Sequence, residues 1–463
     1  MTTSTAQYAQ MIIAAVAGIA FFVTLFKLPE KRSLGILILL IPFAVIDTRY
    51  GPVNLILIFV AAFAFLLQGR LTRVPLLGPI LLIFFAFMIA FSQSQPETHF
   101  YHIIYMVGFV SNILLFYMVY NYVSRTNDWQ YVVRCLIWLN VAVLVYCAIQ
   151  FASGDNRVTF LGIRELSLLP IRKDGRLVGP FNATAATAEY FTFQCLILGY
   201  LLLHKPAKLL RRIMLGMIAL NLLFLIATGN RGGFVTVLVG MMLFMLAYRR
   251  ELGLARIAKM TVGSVTLFTF AAIVVVNYTD YNMLFDRLEG TEIEGGVPDT
   301  RAEVWPIAWQ KIVEKPIMGH GPRHAISTRN TKVESVEYVP YPHNLLLEVL
   351  YTTGIVGVVA WITFFTILAM HLFRIRKARI PDRKLATLPK LGLIILLVFF
   401  VSQLRIEFLR GALLDYQNYL FVLFALFLST SDLIRRQLQE PDLAHGFGKS
   451  ADFIRSDPRN LVA

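Results

Sequence analysis

The sequence predicts an all-α fold: a polytopic integral membrane protein of 12 or 13 transmembrane helices, with a large external loop carrying an amphipathic helix. Three observations predict it. Of 463 residues, 57% are hydrophobic and only 15% charged, where water-soluble domains carry about 25% charged residues. Mean hydropathy is +0.65. Apolar runs long enough to cross a hydrocarbon core recur along the whole chain.

The runs fall near residues 10–28, 53–68, 75–92, 103–123, 131–152, 185–203, 211–228, 232–248, 260–277, 344–372, 389–404 and 412–431. A shorter run at 34–47 is either a further crossing or a partly re-entrant segment. The opening "MTTSTAQYAQ" has no basic region ahead of its apolar run, so the first span reads as a retained helix. The chain divides into N-terminal spans (1–152), a first external loop (153–184), central spans (185–277), a large external loop (278–343), C-terminal spans (344–431) and a cytoplasmic tail (432–463). No internal repeat of the kind found in many transporters is visible.

Sidedness follows from the basic residues. Connectors around 27–32, 70–73, 125–134, 205–212, 249–259 and 374–390 hold 22 Lys or Arg, whereas the other short connectors hold only Arg49, Arg231, Arg405 and Arg410. Basic residues collect on the cytoplasmic side of membrane proteins, which places the first set and the tail inside and both long loops outside. The same rule accounts for the net charge of +15 without nucleic acid as a partner. Cys135, Cys147 and Cys195 all lie in apolar runs, with neither metal spacing nor a disulfide framework.

Four polar stretches meet on the external side. The first, "RLVGPFNATAATAEY" (176–190), opens with Arg176 and offers Asn182 and Thr184 as helix N-caps behind a Gly179–Pro180 turn. The second, "ATGNRGGFVTVLVG" (227–240), puts Arg231 and two glycines at a helix start, where free N–H groups and a guanidinium suit an anion. The third, "PDTRAEVWPIAWQKIVEKPIMGHGP" (298–322), reads as an amphipathic helix with Arg301, Trp305, Ala308 and Trp309 on one face. The fourth, "PHNLLLEVLYTTGIVG" (342–357), puts His343 and Asn344 behind Pro342 at the start of a long helix. Its Gly354 and Gly357 suit tight helix packing.

Two arginines form a clamp for a diphosphate, being planar, permanently charged donors, and a neutral imidazole is the usual general base near neutral pH. Arg231, Arg301 and His343 are therefore the candidate catalytic residues, in a displacement of diphosphate by a hydroxyl. Arg176, Asn182, Asn344, Arg405 and Arg410 are candidate substrate-binding residues. The last two come from "SQLRIEFLRGALLDYQ" (402–417), whose Glu407 and Asp415, like Glu189, either line a groove or form ion pairs. The acidic run Asp286, Glu289, Glu292, Glu294 and Asp299 has the composition of a hard-cation site, but its glycine-rich spacing favours a solvated loop, and no metal or cofactor is expected.

The order of "GNRGG", "DTRAEVWPIAWQKIVEKPIMGHGP" and "PHNLLLEVLYTTGIVG" resembles the bacterial O-antigen ligase and polysaccharide polymerase superfamily, over roughly residues 176–360. The resemblance implies a metal-independent, inverting, membrane-embedded glycosyltransferase of the C type in the bacterial inner membrane. Its donor would be a glycan on undecaprenyl diphosphate, its acceptor a hydroxyl of a glycan or of the lipid A core, and its active site would face the periplasm. Arg231 and Arg301 would then bind the diphosphate, His343 would deprotonate or orient the acceptor, and Asn344 would match the family's His–Asn pair. Asn182 and Thr184 align loosely with a family Asn–Pro–Asn turn, whose proline and second asparagine are absent from "FNATAA". The alternative class is a transporter or flippase of lipid-linked glycan, which would carry its binding charges near the bilayer midplane.

Overall fold

The computed structural model describes residues 27–42, 47–48, 51–92, 99–153, 176–181, 183–253, 293–294, 297–321, 342–406, 408–409 and 414–439, with scattered positions at 23–24 and between 255 and 274. Among these the chain is helical apart from two short antiparallel pairs, Asp47–Thr48 with Gly51–Pro52 and Ile293–Glu294 with Val297–Pro298. The helices are α1 (Glu30–Leu40), α2 (Val53–Leu67), α3 (Leu77–Ser92), α4 (His99–Thr126), α5 (Trp129–Ser153), α6 (Thr184–Leu203), α7 (Lys208–Ala227), α8 (Arg231–Ala247), α9 (Arg249–Leu252), α10 (Asp299–Glu314), α11 (Leu345–Ile375), α12 (Arg383–Gln403) and α13 (Leu414–Gln439).

The long spans are helical because lipid offers nothing to satisfy an unpaired backbone group, and a helix pairs its own; their side chains are apolar because polar ones are costly there. Among the described residues seven helices, α4 to α7 and α11 to α13, are long and apolar enough to cross a membrane, and α2, α3 and α8 are shorter apolar helices. These ten coincide with ten of the predicted spans. The predicted spans at 10–28 and 260–277 lie outside the continuously described residues. The run at 34–47 gives the 11-residue α1. At ~1.5 Å per residue it covers about half of a ~30 Å hydrocarbon core, and its Leu34 and Ile38 are fully buried.

Helix α13 is the centre of the bundle, buried along almost its entire length. It runs parallel to α4, joined by Asn112 Nδ2 donating to Gln417 Oε1 (2.8 Å), by Tyr120 donating to Asp432, and by Arg436 donating to the Ser124 carbonyl (3.0 Å). Helices α11 and α12 pack on it, and α6 gathers α7, α8 and α12.

The contacts sort the connectors between two ends. At one end Arg125 meets Glu30, Lys31 meets Asp128 (2.8 Å) and Asn121 accepts from the Thr72 and Arg73 amides. Ser431 donates to the His371 carbonyl near the end of α11, Tyr200 to the Lys384 carbonyl, Tyr248 to the Thr387 carbonyl, and Lys390 pairs with Glu251. The basic connectors and the beginning of the tail thus share one end of the bundle. At the other end Leu177 N donates to the Ala227 carbonyl, joining the first polar stretch to the second.

The amphipathic helix α10 is locked to α11. Gly354 (φ 63°, ψ −162°) interrupts α11, so it is two helices meeting at a kink. The backbone groups freed there are taken by the turn after α10: Pro316 O accepts from Ile355 N (2.9 Å), while His320 N and Gly321 N donate to Tyr351 O (2.7 Å) and Thr352 O (2.9 Å). The His320 ring stacks on Tyr351 at 4.9 Å, and Ala308 and Ile312 are buried on the same side. Gly354 is therefore both the kink that receives the "GHG" turn and a point of close backbone approach, the packing here being against that turn and not against a second helix. A Cβ at Gly354 would stand 2.2 Å from the Ile317 carbonyl oxygen, in a left-handed conformation costly for any other residue. Gly354→Ala is expected to destabilise the protein by about 2–4 kcal/mol. Thermal unfolding of the purified protein checks this, and a parent-like transition would contradict the packing.

Candidate active site

Among the described candidates, Arg231, Arg301, His343, Asn344 and Arg405 stand at a helix start or a turn, where backbone groups have no intrahelical partner. Asn230 caps α8, its Oδ1 accepting from Gly233 N at 2.7 Å, and so fixes Arg231 as the first helical residue. Asn344 caps α11, its Oδ1 accepting from Leu346 N (3.0 Å) and Leu347 N (3.2 Å). This cap explains the asparagine of the His–Asn pair in the first instance. His343 precedes it in a left-handed conformation (φ 49°) and is exposed. Trp305 Nε1 donates to the Pro342 carbonyl at 2.8 Å, tying α10 to the residue ahead of His343.

The element that joins these parts is the turn after α12. Asn344 Nδ2 reaches the Leu404 carbonyl (3.4 Å) and Arg301 Nη2 donates to the Arg405 carbonyl (3.2 Å). The Arg405 side chain crosses to α8, donating to the Gly232 carbonyl and to Thr236 Oγ1 (2.9 Å). A Cβ at Gly232 would lie 1.4 Å from Arg405 Nη1, which is why the second residue of α8 is glycine. Gly232→Ala is expected to fold normally, because the obstacle is the end of a flexible side chain, but to displace the guanidinium. Parent-like stability with weakened anion binding is the outcome to look for in a titration, and unchanged binding would contradict the contact.

The electrostatics agree with the geometry. Burial first, then the neighbouring charges of Arg301 and Arg231, push Arg405 down to about 10, with Glu189 opposing them. At neutral pH the guanidinium stays protonated, so three cations share one partly buried corner, as an anion site requires. The second histidine of these motifs, His320, is half-buried, its Nε2 held 2.7 Å from the Lys311 carbonyl, and burial lowers its pKa. It belongs to the α10–α11 lock, whereas His343 is exposed just ahead of α11.

Arg176 is buried next to Leu177, whose amide bonds to the end of α7, so it lies at the same end of the bundle. Thr184 opens α6 as its first helical residue and the cap position is Ala183, without a side-chain cap bond. Asn182, Glu407, Arg410 and most of the acidic run lie outside the described residues, as do the side chains of Glu294 and Asp299. A shallow cavity of about 400 Å³ begins at Arg301 and continues along Ala302, Trp305, Pro306, Trp309 and Leu347. Trp305 and Trp309 thus line one cavity with Arg301, and Ala308 is buried. Sequence reasoning missed the central part of Gln403, which lies inside the 402–417 stretch that stands out for its charged residues alone. Its Oε1 accepts from Phe408 N at 2.8 Å and closes the turn that carries Arg405.

Comparison with known proteins gives two findings. Residues 216–362 match the O-antigen ligase family. Over 200 residues the chain is 26% identical to an O-antigen ligase of Pseudomonas aeruginosa, a stretch covering 43% of this chain and 44% of that protein. The match therefore spans less than half the length of this curated relative. Both the start of α8 and the Arg301 and His343 motifs lie inside the family match.

Proposed function

We propose, from the match of residues 216–362 to the O-antigen ligase family, that this protein transfers a glycan from undecaprenyl diphosphate to a hydroxyl acceptor on the periplasmic side of the bacterial inner membrane. Arg231 and Arg301 hold the diphosphate. His343 takes the proton of the acceptor hydroxyl as its oxygen attacks the anomeric carbon. The bond from that carbon to the diphosphate breaks, the diphosphate leaves with the electron pair, and attack from the opposite face inverts the anomeric centre. The leaving group needs charge stabilisation rather than a proton, which the guanidiniums supply in a partly dehydrated site. No metal takes part in this scheme.

The observation that carries the reading is the 404–405 turn, which links the Arg301 helix, the His343 helix start and the Arg231 helix in one hydrogen-bonded unit. Its orientation is supported by the basic connectors at the opposite end, which the charge rule assigns to the cytoplasm. The acceptor is either the lipid A core, as for a ligase, or a growing lipid-linked glycan, as for a polymerase. Both acceptors need the same clamp and the same base.

Deleting the chain in its native host and characterising surface and carrier-linked glycans together tests the reading. Long chains held on the carrier with none at the surface indicate a ligase, and single repeat units in place of long chains indicate a polymerase. An unchanged glycan profile would contradict both.

A further inference from the structure

Beneath the arginines lies a buried carboxylate for which the transfer chemistry has no use. Glu189, on the first turns of α6, is 1% exposed. Gln403, the last residue of α12, points its amide at both carboxylate oxygens, at 3.3 and 3.5 Å, and the Ser402 side chain reaches the same group. The other end of the Gln403 amide holds Phe408 N at 2.8 Å. A single side chain therefore fastens both ends of the 404–408 turn to a carboxylate on another helix.

The turn it fastens is the one that carries the candidate site. Leu404 O meets Asn344, Arg405 O meets Arg301, and the Arg405 guanidinium lies on Gly232. Both side-chain bonds of Arg405 come from Nη2, and a guanidinium has five N–H donors. Three guanidiniums repel one another, so a turn bearing one of them toward the other two has to be held there. A buried carboxylate and amide are costly to dehydrate unless they are bonded, and here Gln403 meets the carboxylate at the base of that turn, with Tyr416 and Ser402 beside it.

We propose that Glu189 is a positioning residue for the donor diphosphate: acting through Gln403, it fixes the 404–408 turn so that Arg405 stands as a third diphosphate-binding guanidinium beside Arg231 and Arg301. This rests on the reading that Arg231 and Arg301 hold a diphosphate.

Titration of undecaprenyl diphosphate onto the purified full-length protein in lipid nanodiscs tests it through a double-mutant cycle. Arg405→Ala is expected to weaken binding about tenfold or more, the scale of a charge-assisted hydrogen bond, and Glu189→Ala by a similar factor. Because Glu189 acts through Arg405, the double variant should lose no more than about threefold beyond Arg405→Ala alone, the non-additivity that coupled neighbours show. Glu189→Gln keeps an acceptor for the Gln403 amide and is expected to bind within about threefold of the parent on the same coupling argument. A merely structural role would not produce this rescue together with the coupling. Additive losses in the cycle, or a Glu189→Ala protein that binds like the parent, would overturn the proposal. If Glu189→Ala does not accumulate in the membrane, Gln403→Ala cuts the same relay and is judged by the same coupling. Parent-like binding by Arg231→Ala and Arg301→Ala would instead remove the diphosphate reading itself, whatever the Glu189 variants do.

Discussion

Replacing His343 with Ala is expected to lower the proposed glycan transfer by about two to four orders of magnitude, the scale of a lost general base, and to leave undecaprenyl diphosphate binding nearly unchanged. The separation is expected because His343 is exposed, and the arginines are held by α8, by α10 and by the 404–405 turn. A second substitution isolates chemistry from folding. His343 occupies a left-handed backbone conformation (φ 49°), which costs a residue with a Cβ about 1–2 kcal/mol. Glycine removes that cost and loses about 0.5–1 kcal/mol through greater freedom of the unfolded chain. His343→Gly should therefore unfold no earlier than the parent and still be inactive. Thermal unfolding and turnover measured on one preparation check both halves, and an active His343→Gly protein would sink the assignment.

Arg231→Ala and Arg301→Ala are each expected to weaken donor binding by about 1.5–3 kcal/mol, the range for hydrogen bonds to a charged group. The corresponding fold-change is roughly tenfold to 150-fold. Lysine does not restore it at either position, because a guanidinium presents a planar pair of donors to a phosphate and an ammonium does not. The two arginines are not equivalent. Arg301 also donates to the Arg405 carbonyl, so its loss loosens the turn as well, and Arg301→Ala should be the more damaging. The two losses should not simply add, since both residues act on Arg405. Donor titrations on the four single variants and the double alanine variant measure this. Full recovery by lysine would mean that charge alone is recognised.

The spans were legible because lipid imposes one rule on every residue of a crossing: an apolar side chain on a self-paired backbone. The sided distribution of Lys and Arg was legible for a similar reason, and contacts such as Arg125–Glu30 and Lys390–Glu251 gather those connectors at one end. The kink at Gly354 was not legible. It exists because backbone groups of residues 351–355 exchange helix partners for residues 316–321, and nothing local to either stretch announces the other. Gly354 and Gly357 instead carried the small-residue pattern of helix packing, which is a property of spacing alone.

The site divides along the same line. Arg231, Arg301 and His343 were visible as charged or titratable residues at the edges of apolar runs, where their cost needs a reason. Asn230 carries a visible signal, since an asparagine ahead of a helix start is a strong cap candidate. Asn182 and Thr184 carried the same signal, yet α6 starts from Ala183 without a side-chain cap. Gln403 carried no signal at all. Its importance comes from facing Glu189 on one side and the Phe408 amide on the other, partners that only the folded chain brings together.

Reconstitution into proteoliposomes with undecaprenyl-diphosphate-linked glycan and a hydroxyl acceptor gives the most direct measurement. Free undecaprenyl diphosphate and the new glycoside are quantified together for the parent and for His343→Ala. Equimolar formation of both by the parent, in the absence of added metal, and neither by the variant is the predicted result. Movement of intact lipid-linked glycan across the bilayer with no bond cleaved would contradict it, and would make the protein a transporter.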